Sequence, residues 1–214
     1  GRIPADSAII DDEEAVSIIA DYRNEDEEGV TRDFNRYKGY QTIIFFQHFI
    51  YQMEHQHPWK FYLHPESFTD DDREAIKQIC KSQKREYNEQ AVIDIYHHAQ
   101  QYMDEANVPG LDAKTADRIR VLLWKMYYAA CYAQYKEENH LLDFEDLLLK
   151  TYDIYSTDDT CKRYQWIQVD EVQDLNGMQL AIIDLLTAKD NPMVMYLGDE
   201  QQAIFSFMGA KVET

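Results

Sequence analysis

Two apolar stretches of this chain end in residues equipped for phosphate and metal chemistry. Trp166–Asp174 (WIQVDEVQD) delivers Asp170, Glu171 and Gln173, and Leu197–Ala210 (LGDEQQAIFSFMGA) delivers Asp199 and Gln202. Short apolar runs bounded by polar residues read as buried strands. Open parallel sheets bind ligands just beyond the carboxyl ends of their strands. The five polar residues are therefore two edges of one candidate phosphate or metal site. An acidic pair after a strand suits Mg²⁺, a hard cation held through one or two carboxylates plus substrate phosphates. The second acid is then available to orient or deprotonate an attacking water. For Asp170-Glu171 alone, the structural alternative is a helix N-cap with a solvated neighbour. Two such strand ends, separated by a single crossover helix, favour the site.

The elements that must position these residues are legible around them. A helix is predicted over Phe144–Tyr155, a strand over Gln165–Asp170, a helix over Gly177–Thr187 and a strand over Met193–Leu197. Asp190-Asn191-Pro192 marks the turn before the last strand. Such a strand–helix–strand unit is right-handed, with its strands parallel. Upstream the pattern is helical. Ile9–Tyr22 has early acids and helical apolar spacing, with Asp11 or Asp12 as N-cap. Asn24–Tyr40 reads as loop, and Gln41–His55 as an aromatic-rich helix, although Thr42–Phe46 alone passes for a strand. Pro58 and Pro65 bracket a connection, Asp70–Gln101 reads as one or two helices, and Asn107–Gly110 (NVPG) is a stop. Ala113–Glu138 is a long helix with Ile119, Leu122, Leu123, Met126, Tyr127, Ala130 and Cys131 on its apolar side. The expected fold class is mainly α, with a small C-terminal α/β piece.

These residues resemble a known family. DEVQD at Asp170–Asp174 is similar to the Walker B segment, usually DExQD, of UvrD/Rep-like superfamily 1 DNA helicases. GDEQQAIFSFMGA at Gly198–Ala210 is similar to their next motif, GDxxQSIYxFRGA, and DFEDLLLKTYDIY at Asp143–Tyr155 to the DFDDLL helix that precedes Walker B. The three motifs stand in the family's order and cover about the last third of the chain. The resemblance implies a helical insertion domain of the 1B kind over residues 1 to about 140, with a boundary near Asn139–Leu142. Residues 141–214 would then be part of a RecA-like P-loop NTPase motor domain, the 1A domain.

The same resemblance implies roles. Asp170 would hold Mg²⁺ and Glu171 would polarise the attacking water, with Gln173 and Asp199 on the nucleotide. Gln202 would sense the γ-phosphate and couple it to DNA. Phe205 and Phe207 would stack on bases, a contact that tolerates any base. Ala203 replaces the family's serine and Met208 its arginine, which removes a charge able to reach DNA phosphate; Phe205 in place of tyrosine keeps the ring face. No GxxxxGK[ST] segment occurs, so the cradle and lysine for the β- and γ-phosphates are absent. The chain is therefore expected to be a piece of a longer protein. As it stands it is expected to hold no ATP or Mg²⁺ and to be inactive. Its expected partners are single-stranded and duplex DNA and the remaining motor domains of the same polypeptide, with no membrane.

Composition bounds this reading. At 214 residues, 45% hydrophobic and 13% aromatic, the chain has ample material for a core. Its apolar runs, Ile43–Phe46 among them, are too short to span a membrane. Cys80, Cys131 and Cys161 are few and widely spaced, as reduced thiols in a cytoplasmic protein are. The net charge of −19 is the reverse of the basic footprint of a self-sufficient DNA-binding module. It remains compatible with an acidic portion of a larger motor. Glu25–Glu28 and Asp70–Asp72 read as solvated loops or helix starts.

Other constellations are weaker. His48, His55, His57 and His64 crowd one stretch, but nothing in their spacing enforces convergence on a metal. Tyr127, Tyr128, Tyr132 and Tyr135, beside Lys125 and Lys136, either stack on single-stranded nucleic acid or pack between helices; packing is the simpler reading. Lys81, Lys84 and Arg85 form a compact basic patch, suited to a duplex backbone or to solvent. The functional expectation is part of an ATP-dependent DNA helicase or helicase-nuclease motor subunit. The rivals are a motor-derived protein-interaction module without turnover and a metal-dependent nuclease. The nuclease lacks the third and fourth carboxylates such sites gather.

Overall fold

Periodicity, caps and turn residues lead to a mostly helical chain with two small parallel sheets, seen in a computed structural model that describes residues 3–11, 14–23, 40–103, 107 and 109–198. Strand β1 (Ala8–Ile9) is followed by α1 (Glu14–Arg23), α2 (Tyr40–Glu54), α3 (Asp70–Ser82), α4 (Glu89–His97), α5 (Ala99–Tyr102) and α6 (Ala113–Glu138). Then come β2 (Leu141–Leu142), α7 (Phe144–Thr157), β3 (Trp166–Val169), α8 (Gly177–Thr187) and β4 (Met193–Tyr196). The described chain forms two compact units. One comprises residues 3–56 and 64–144, and the other residues 57–63 and 145 onward. Among the described residues no helix is long and apolar enough to cross a membrane.

In the first unit α6 is the hub. Asp112 caps it by accepting from the Thr115 amide (3.0 Å). Ile119, Leu122, Leu123, Met126, Tyr128, Ala129, Cys131 and Tyr132 are all buried on it. Much of its middle faces other elements, because α1, α2, α3, α4 and α5 all pack around it. The one-sided stripe expected from sequence is therefore too narrow, and Tyr127 and Ala130 are only half-buried. Helix α2 contributes Phe45, Phe46 and Phe49; Phe46 meets Phe68 edge-on, and Phe49 lies tilted against both Phe45 and Phe68. The Thr42–Phe46 run is thus helical. Helix α3 opens with a capping box between Thr69 and Asp72 and three acids in its first turn, which suit the positive end of the helix dipole.

Some expectations need correcting. Ile9 pairs with Leu142 in a parallel two-residue bridge, so it belongs to a strand, and α1 is described from Glu14 onward. Asp11 accepts from the Glu14 amide and Glu14 accepts from that of Asp11, so Asp11 is the capping acid. Asp12 lies outside the described residues, as do residues 24–39 of the loop expected over Asn24–Tyr40; Tyr40 itself opens α2. Residues 70–101 break into three helices: Lys84 takes a positive φ of 53°, Asn88 caps a new start by accepting from the Ala91 amide, and the backbone leaves helical geometry at His98 (φ −119°, ψ 23°). The NVPG stop ends in Gly110 at φ 94°, a conformation that favours glycine.

In the second unit β3 and β4 are adjacent and parallel, in register from Trp166↔Met193 to Val169↔Tyr196. Helix α8 makes the crossover. Asn176 and Gln179 cap it reciprocally, and Asp190 and Asn191, both at positive φ, turn the chain into β4. Residues 57–63 brace this unit. His57 Nε2 lies 2.6 Å from Asp153 on α7, Phe61 meets Tyr152 edge-on, and the Lys60 carbonyl closes on Gly177.

Candidate active site at the ends of two parallel strands

Strand β3 stops at Val169 because the next residues turn instead of continuing the ladder. Asp170 Oδ1 accepts from the Glu171 amide (2.9 Å), and Glu171 takes φ 50°, ψ 45°, the left-handed region that non-glycine residues seldom enter. Val172–Asp174 then form a single 3₁₀ turn. The neighbouring strand ties this turn down: Leu197 N donates to Val169 O (2.8 Å) and Val172 N donates to Leu197 O (3.1 Å). Strained backbone of this kind persists where the surroundings over-determine it, and it concentrates at functional sites.

The side chains divide by exposure. Asp170 and Glu171 are exposed at the carboxyl end of the sheet, whereas Gln173 is buried. Gln173 Nε2 donates to Glu171 Oε2. Its Oε1 lies where a side chain on Gly198 would begin, for a Cβ there would approach it to 2.7 Å. The structure thus brings together Asp170, Glu171, Gln173 and the glycine that follows β4. Two adjacent exposed carboxylates are the hard oxygen donors that Mg²⁺ takes, so the donor set fits that ion. Asp199, Gln202, Ala203, Phe205, Phe207 and Met208 lie outside the described residues.

The other constellations resolve into structural roles. Each histidine has its own partner: His48 Nε2 meets Asp143 (3.1 Å), His57 meets Asp153, His55 meets the Tyr51 carbonyl and His64 meets Glu66. Tyr128 and Tyr132 are fully buried, so the packing reading of the tyrosines holds for them. Lys125 and Lys136, which sequence places beside them as bases, are buried too. Lys125 pairs with Asp72 (2.6 Å) and Lys136 with Asp143 (2.8 Å). In the basic patch Lys81 and Lys84 are exposed, but Arg85 is committed to Asp94 at 2.6 Å, an acid that also accepts from the Tyr102 hydroxyl.

Asp143, the first acid of DFEDLL, is legible in the sequence only as part of that motif, which does not reveal its place in a buried charge network. It is fully buried, and besides Lys136 and His48 it meets Gln47 (3.3 Å) and the Tyr132 hydroxyl (3.4 Å). Burial by itself raises such a carboxyl. The charge and hydrogen bond of His48, then those of Lys136, outweigh it and hold Asp143 well below the usual carboxylate range. The spacing offers one hint, since Lys136 and Asp143 flank the end of α6 and the short β2.

Comparison with known proteins gives the class. The model of the UvrD/REP helicase N-terminal domain matches residues 3–214, and the chain belongs to that family. It is 37% identical over 95 residues to DNA helicase II of Escherichia coli, covering 42% of this chain and 13% of that protein. A probable DNA helicase II homolog of Mycoplasma capricolum is 23% identical over 158 residues, covering 68% of this chain and 21% of that protein. An ATP-dependent helicase/nuclease component from Clostridium beijerinckii is 34% identical over 101 residues, 40% of this chain and 8% of that protein. The matched part therefore spans about a fifth or less of these relatives.

Proposed function

We infer that this chain is part of an ATP-dependent DNA helicase, or of a helicase-nuclease motor subunit, that couples Mg-ATP hydrolysis to movement on single-stranded DNA and duplex unwinding. The observation that carries the reading is the Asp170-Glu171 pair, exposed at the carboxyl end of a parallel strand pair in a chain of the UvrD/REP family. Residues 1 to about 140 serve as the helical insertion domain and residues 141–214 as part of the RecA-like motor domain. Trp166, Met193, Met195 and Tyr196 are exposed on the two-stranded sheet. A two-stranded sheet is marginal alone, and these apolar groups suit further motor segments of the same polypeptide packing against them.

Asp170 holds Mg²⁺, which when bound neutralises charge on the nucleotide phosphates. Glu171 orients the attacking water and accepts its proton, a task that needs a carboxylate within one hydrogen bond of the nucleophile. Asp199 contacts the nucleotide, Gln202 senses the γ-phosphate, and Phe205 and Phe207 stack on bases of the strand. The test is ATP hydrolysis by the full-length protein with and without single-stranded DNA. Strong stimulation by DNA is expected. Asp170→Asn should weaken Mg²⁺-dependent nucleotide binding, whereas Gln202→Ala should leave affinity nearly intact and blunt the stimulation. A full-length protein that binds partners but shows no turnover would favour the interaction-module rival.

A further inference from the structure

We propose that Gln173 is a positioning residue that aims the Glu171 carboxylate, and that Gly198 is glycine in order to leave room for it. The inference rests on the reading of Glu171 as the group that activates water. Glu171 is exposed, and a solvent-facing glutamate on its own samples several rotamers. Its backbone is also in the left-handed region. A single orientation must therefore come from a neighbour, and Gln173 is that neighbour. The amide is buried, so its own orientation is fixed by packing, and it donates through Nε2 to the carboxylate.

The opposite end of the same amide meets the chain just after β4. A Cβ on residue 198 would stand 2.7 Å from Gln173 Oε1, against 3.5 Å or more from any atom of Val172. Any side chain at 198 thus displaces the Gln173 amide before it disturbs the backbone. The amide lies between Glu171 and the chain just after β4, so that a side chain added at 198 is felt at Glu171. A glutamine is needed because it donates on one side while remaining neutral. A carboxylate at 173 would set a like charge against Glu171, and a shorter amide would not span the gap.

The experiment is a kinetic double-mutant cycle on the full-length protein, measuring kcat and KM for ATP with saturating single-stranded DNA, alongside thermal unfolding. Gln173→Met keeps the length and burial of the side chain but cannot donate. It should lower kcat roughly ten- to a hundredfold, the rate equivalent of a hydrogen bond to a charged group, with melting temperature little changed. Gly198→Ala should cause a similar loss in the wild-type background and almost none in Gln173→Ala, because the obstructed atom is gone. A wild-type kcat for Gln173→Met alongside an inactive Glu171→Gln overturns the positioning role and leaves the function intact. Full turnover by Glu171→Gln overturns the function itself. Equal losses from Gly198→Ala in both backgrounds overturn the coupling through Gln173.

Discussion

Asp143 sits at the centre of a buried charge network, and its removal is the sharpest residue-scale test of the helical unit. Asp143→Ala leaves Lys136 buried without its carboxylate, a loss of about 3–5 kcal/mol by the usual cost of breaking a buried pair. Urea denaturation reads it directly. The pH dependence has a definite sign. The folded carboxyl titrates below its unfolded value, so its stabilisation is complete above the ordinary carboxylate pKa of about 4 and drains away as pH falls further. Wild type should lose more stability than Asp143→Asn on acidification below that point. At this scale the sequence reveals residue types and hides their surroundings. Asp170 and Glu171 are legible as an exposed strand end because the apolar run stops at them. The left-handed backbone of Glu171 and the burial of Gln173, Lys125 and Lys136 are not, since each depends on contacts distant in sequence.

Elements with strong local signals are legible nearly to the residue. Helices α6 and α8 begin and end where the sequence reading places them, and β3 and β4 differ from expectation by a residue at their ends. The bridge between β1 and β2 escapes a sequence reading because two residues carry no period. Helix α8 offers two tests. Asn176→Ala removes the acceptor for the Gln179 amide and should cost about 1 kcal/mol. Gly177→Ala would gain helix propensity, worth up to about 1 kcal/mol in a helix interior. Its Cβ, however, would stand 2.6 Å from the Lys60 carbonyl. Backbone cannot swing aside as a side-chain tip does, so the clash should win, with a net loss of about 1–3 kcal/mol. A stabilised Gly177→Ala variant in urea denaturation would show that residues 57–63 do not press on α8.

At the scale of the whole molecule, the −19 charge and the absence of a GxxxxGK[ST] segment in 214 residues point the same way. In the proposed reading Asp170 and Glu171 would furnish the metal end of a nucleotide site, and the 214 residues hold no GxxxxGK[ST] cradle for its phosphates. Calorimetry on the 214-residue chain is expected to show weak ATP·Mg²⁺ binding or none; tight Mg²⁺-dependent binding would reveal a phosphate site elsewhere in it. The family is legible from three motifs, yet most of the chain carries none, because a helical unit built on apolar periodicity is satisfied by many sequences. The central claim concerns Glu171, and single-turnover ATP hydrolysis by the full-length protein on single-stranded DNA tests it most directly. With Glu171→Gln, nucleotide should still bind at near wild-type affinity, while the hydrolysis rate falls by roughly two orders of magnitude or more. An unchanged rate in that variant contradicts the assignment of the DEVQD segment to catalysis.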